Sequence, residues 1–89
     1  MEIIRTNGAR EAYLPANGRH YTLKELQNAV GGLIEIVYTK DGRPLVINEE
    51  GKLRNLPINT EATHLYRFGD HDSIVGDALL CNGHEIKKG

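Results

Sequence analysis

The 89 residues carry 11 Lys and Arg against 12 Asp and Glu, a formal charge of -1. A single domain of this length buries only about two thirds of its unfolded surface, which leaves little room for a large enclosed active site. The balanced charge argues against a protein that grips duplex DNA through a basic face, and equally against a polyanionic DNA mimic.

The lone cysteine, Cys81, excludes an internal disulfide and any multi-thiolate zinc site. No run approaches the roughly 18 apolar residues of a membrane span, and the residues after Met1 lack a signal peptide's apolar segment, so a cytosolic protein is expected. With four Tyr, one Phe and no Trp, the core must be built from aliphatic side chains.

In chain order, "EIIRT" predicts a first strand, and "AYLP" in the loop-rich stretch after it a short edge pairing. Thr22 and Glu25 make a T-x-x-E capping box. The helix that follows sets Leu23, Leu26 and Val30 on one face and stops at Gly31 and Gly32. "LIEIVYT" alternates with period two, as a strand does. "KDGR" predicts a tight turn with Asp41 and Gly42 at positive backbone angles, so that "PLVIN" returns antiparallel. A second short helix over "TEATHLYRF" is capped by Asn59 or Thr60 and buries Ala62 and Leu65, with Tyr66 or Phe68 beside them. "IVGDALLC" is a strand interrupted at Gly76 and Asp77, and Asn82-Gly83 turns it into a short final strand around Ile86. The sum is a single small α+β domain over 1-89, with a mostly antiparallel sheet of four or five strands and two short helices against one side of it.

Residues able to do chemistry are scattered. Asp70, His71 and Asp72 are adjacent, so their side chains do not converge on one point, and they fit a solvated turn better than a metal site. His20, His64 and His84 have no H-x-x-x-H spacing, and no nucleotide-cradling glycine pattern is present, so neither a metal nor a cofactor is expected. Cys81 ends an apolar run and reads as a small hydrophobe. The polar stretch "NEEGKLRNLPIN", Asn48 to Asn59, stands out. Its Lys52 and Arg54 precede a helix start, Asn59 to Glu61, whose unpaired amides could receive a phosphate or carboxylate. The alternative is a polar loop whose cations meet nearby acids while Leu53 and Leu56 pack inward.

The segments "LKELQNAVGGLIEIV", "VINEEGKLRNLPINTEATHLY" and "SIVGDALL" resemble small proteins of phages, plasmids and other mobile elements grouped as domain of unknown function 3846. The resemblance spans Tyr21 to Cys81. It carries no established catalytic residue over. It makes the polar stretch a candidate ligand-binding surface, through Asn48, Glu49, Lys52, Arg54, Asn59, Thr60 and Thr63.

A non-enzymatic binder is therefore the leading expectation. Its partner would be a host protein, such as a defence protein it inhibits, or an anionic small molecule such as a nucleotide signal that it sequesters, with homo-oligomerisation favoured by the small size of the subunit. The rival is a small hydrolase using Glu49 or Asp77 with a histidine brought close by folding. A nucleic-acid-associated regulator comes last, because composition promises no basic stripe.

Overall fold

The computed structural model describes residues 1–87. Five strands form one antiparallel sheet: β1 (Glu2–Ile4), β2 (Arg10–Ala12), β3 (Ile34–Tyr38), β4 (Pro44–Asn48) and β5 (Ala78–Leu80), in the spatial order β2-β1-β5-β4-β3. Helix α1 is Leu23–Val30 and α2 is Thr60–Leu65. The expected α+β fold is the observed one.

The layering differs from the expectation. Successive strand residues point to opposite faces, and in the central strands both sets are apolar. Ile3, Val46 and Leu79 pack with Leu26, Ala29 and Val30 of α1. Their neighbours Ile4, Leu45, Ala78 and Leu80 pack with Ala62 of α2 and with Ile74. The two helices thus lie on opposite faces, not on one side, because a sheet apolar on both faces needs two covers.

α1 begins as predicted. Thr22 Oγ1 accepts the Glu25 N–H at 3.1 Å and Glu25 Oε1 accepts the Thr22 N–H at 2.8 Å. Gly31 at φ 77° closes the helix, donating its N–H to the Gln27 carbonyl at 2.8 Å. Leu26, Ala29 and Val30 are buried, whereas Leu23, in the first turn, overhangs the sheet and stays 60% exposed. In the β3–β4 hairpin Gly42 alone takes a positive φ, 86°, and Asp41 does not. Thr39 replaces that part of the expected turn chemistry: its hydroxyl donates to Asp41 and accepts the Arg43 N–H at 2.9 Å.

Two further expectations are corrected. The edge pairing falls at Arg10–Ala12 instead of "AYLP", because the turn held by the Arg5 N–H to the Ala9 carbonyl, 2.8 Å, sets the register two residues earlier. In place of a final strand, Gly83–Glu85 is one 3-10 turn, held where Glu85 Oε1 accepts the Asn82 N–H at 2.7 Å. That turn tucks Glu85 inward. Its other carboxylate oxygen receives the Met1 ammonium at 3.0 Å, beside the buried Tyr21 ring stacked on Tyr13.

Gly69 sits in the bend after α2, where an added Cβ would run into the Thr63 carbonyl. Gly69→Ala is expected to cost about 1–3 kcal/mol through displaced backbone, read as a lower midpoint in thermal unfolding. An unchanged midpoint would mean the bend yields freely.

Candidate functional site

The Asn48–Asn59 stretch winds through successive turns. The Gly51 N–H bonds the Asn48 carbonyl at 3.1 Å, Arg54 N–H the Glu50 carbonyl at 2.9 Å and Leu56 N–H the Gly51 carbonyl at 3.0 Å. Asn55 takes the left-handed conformation at φ 53°. Gly51 is buried at the centre of this elbow, while Leu53 at its tip is 85% exposed, not packed inward.

The polar residues singled out from the sequence divide into two groups. Asn48, Asn59 and Thr63 are brackets of the fold. Asn48 donates to the Val30 carbonyl at 3.1 Å and accepts the Glu50 N–H at 2.9 Å, tying β4 to the end of α1. Asn59 is fully buried. Its amide donates to the Ile4 carbonyl at 2.8 Å and the Gly76 carbonyl at 2.9 Å, and its oxygen caps α2 by accepting the Ala62 N–H at 3.1 Å. Thr63 donates to the Asn59 carbonyl at 2.8 Å and accepts the Ile74 N–H at 2.9 Å. Each both donates and accepts internally, so each is explained by the fold.

Glu49, Lys52, Arg54 and Thr60 are exposed. The turns send the two cations to different sides. Lys52 pairs with Asp72, holding that carboxyl below its ordinary range. Arg54 instead reaches back to the Gly31 carbonyl at 3.0 Å. Lys52 lines a cleft of about 150 Å³ with Glu35, Val37, Glu49 and Asp72, whereas Arg54 lies in a separate crevice with Thr6, Gly31 and Asp77. The expected pocket, in which Lys52, Arg54 and the start of α2 meet, is not formed. Because the Lys52–Asp72 pair is solvent-exposed, Lys52→Ala is expected to leave the thermal midpoint within a degree or two. A larger fall would make that pair a structural tie.

The carboxylates proposed for hydrolysis are likewise placed. Asp77 accepts from Arg5 Nη1 at 2.8 Å and from the Thr6 N–H at 3.0 Å. Among the described residues, neither Asp77 nor Glu49 hydrogen-bonds an imidazole. Cys81 is buried, and burial pushes its thiol up to about 12, far from a reactive thiolate.

The feature missed in the sequence is the outer edge of β3. The Leu33 carbonyl accepts the Glu49 N–H and the Thr39 N–H donates to the Arg43 carbonyl, so odd-numbered residues of β3 turn their backbone groups toward β4 and even-numbered ones away. On that outer side Arg67 N–H reaches the Tyr38 carbonyl at 3.0 Å and Lys40 N–H reaches the Leu65 carbonyl at 2.9 Å. Among the described residues, the N–H and C=O of Ile34 and Ile36 and the N–H of Tyr38 have no backbone partner. Beside this edge lie the exposed Leu23 and Leu33 and a groove of about 440 Å³ lined by Tyr21, Leu23, Leu26, Ile34, Ile36 and Ile86. The signal for it was Glu35, one charge in the middle of the apolar run "LIEIV".

An antiparallel sheet covered by one helix on each face, with β2 and β3 as its two edge strands, defines a small α+β domain without an assembled catalytic pair among its described residues. The model of the family described as Domain of unknown function (DUF3846) matches residues 2–88, and the chain belongs to that family. The match extends past Tyr21 to Cys81 at both ends, taking in β1, β2 and the terminal 3-10 turn. No curated protein and no solved structure matches the chain.

Proposed function

We propose that this protein is a non-enzymatic binding domain that works by contact with another protein along its β3 side. The observation that carries this reading is the unpaired outer edge of β3, flanked by exposed Leu23, Leu33 and Leu53. Apolar groups gathered around unsatisfied backbone donors and acceptors favour a macromolecular partner. Capture of a nucleotide-like anion has less support. The cleft beside Lys52, at about 150 Å³, is below the roughly 300–1,000 Å³ of small-molecule sites, and Glu35, Glu49 and Asp72 outnumber its one cation. A host protein is the partner class implied by the resemblance to proteins of mobile elements.

Photo-crosslinking side chains placed one at a time at Leu33, Leu53 and Ala12 test this in the native cell. Adducts to another protein from the β3-side positions Leu33 and Leu53, with none from Ala12 at the far edge, are expected. Adducts confined to Ala12 would remove the reading.

A further inference from the structure

Resting on that reading, we propose that β3 takes an extended segment of another protein as a sixth strand, one that sets a Lys or Arg against Glu35 and aliphatic side chains on either side of that cation. The donors and acceptors of Ile34 and Ile36 face outward at strand spacing, and another strand is the partner that satisfies both residues together.

The ends of the site are set by the fold. Tyr66 stands opposite Thr39, and Arg67 already occupies the Tyr38 carbonyl, so an added strand must leave after Val37. About four residues can pair. Their side chains alternate between two different surroundings. On the α1 face, those opposite Ile34 and Ile36 meet a groove whose floor is Tyr21, Leu23, Leu26 and Ile86, with His20, Thr22 and Lys87 also lining it; its apolar part suits Val, Ile or Leu. On the α2 face, the one opposite Glu35 meets Glu35 and Glu49, both exposed and both without an ion-pair partner among the described residues.

The same geometry disfavours a second copy of this chain as the occupant. Antiparallel self-pairing centred on Ile36 would set Ile34 opposite Tyr38 of the other copy, in the place that Arg67 fills. Centred on Glu35, it would oppose Glu35 to its own counterpart, and like charges directly across a sheet repel. Glu35 therefore discourages self-association and selects a cation with one side chain.

The test uses a capped pentapeptide, Thr-Val-Lys-Val-Thr, and its twin with Glu in place of Lys, titrated to millimolar concentration into the isotope-labelled protein while amide shifts are followed by NMR. Saturable movement and slowed hydrogen exchange at Ile34 and Ile36 are expected with the Lys peptide, binding about fivefold tighter than its twin. Glu35→Lys, an exposed change, should reverse the preference by a similar factor. No movement at these amides, or equal binding of the two peptides, would overturn the proposal and leave Glu35 as a guard against self-pairing alone. A concentration-dependent dimer that protects the Ile34 and Ile36 amides would overturn it in favour of a second copy. Crosslinks from Leu33 and Leu53 without a peptide effect would keep the contact reading while removing strand addition. Crosslinks confined to the far edge would remove both.

Discussion

Replacing Asn59 by alanine is expected to lower the unfolding free energy by about 4 kcal/mol, the largest effect of any single polar change in the chain. The side chain is fully buried and serves three backbone groups: the carbonyls of Ile4 and Gly76 and the N–H of Ala62. Truncation removes three hydrogen bonds and leaves the Gly76 carbonyl and the Ala62 N–H without a partner, at roughly 1–3 kcal/mol each before relaxation, while the Ile4 carbonyl keeps its place in the β1–β5 ladder. It also opens a small cavity where the end of β1, the approach to β5 and the start of α2 meet. Asn59→Asp separates the contributions. It keeps an oxygen to cap α2 but turns a carboxylate toward two carbonyl oxygens, so it should cost at least as much as alanine at neutral pH. Denaturant unfolding followed by far-UV circular dichroism measures both. A loss below about 1 kcal/mol for Asn59→Ala would mean that water enters and replaces the amide.

Glu85→Gln is expected to cost about 2–3 kcal/mol at neutral pH and to flatten the acid side of the stability profile. Glu85 is 5% exposed. Burial pushes its carboxyl up, but the Asn82 N–H and the Met1 ammonium outweigh burial and hold it below the ordinary value. Glutamine preserves the shape and leaves the ammonium without its counter-charge. The cost falls short of that for a fully buried pair because Met1 is 32% exposed and can turn to water. Since the folded carboxyl is depressed, its stabilisation is complete above the unfolded value of about 4.3 and is lost as pH falls through the lower folded value. The parent protein should therefore lose stability on acidification through that window more steeply than the variant. Parallel acid limbs in the two proteins would show that the pair contributes nothing to folding.

Local features were legible from the sequence because their determinants are neighbours. Thr22 and Glu25 cap α1 across three residues, and Gly42 closes the β3–β4 turn within the hairpin it joins. Non-local ones were not. Asn59 looked like a ligand-binding group or a helix cap, and only the cap is visible nearby. Its main partner, the Ile4 carbonyl, is 55 residues away. That Lys52 would meet an acid was one of the two readings of the loop, but the acid itself, Asp72, lies 20 residues on and could not be named from local sequence. The two-sided layering was written in "LVI" and "ALL", continuous apolar runs where a sheet with one wet face would alternate. The open edge of β3 was half legible: Glu35 interrupts the apolar run "LIEIV", but strand order depends on where β5 inserts, and no local pattern encodes that.

That insertion has a kinetic consequence. Residues 2–12 and 34–48 form two separate ribbons, and Ala78–Leu80 is the slat that joins them, pairing with β1 on one side and β4 on the other. Each ribbon can close by itself, and until the slat is seated they show Ile3 and Ile4 or Leu45 and Val46 along uncapped margins. A chain whose slat has not yet docked therefore displays two greasy margins at once, and the speed of that late, long-range step becomes a determinant of yield.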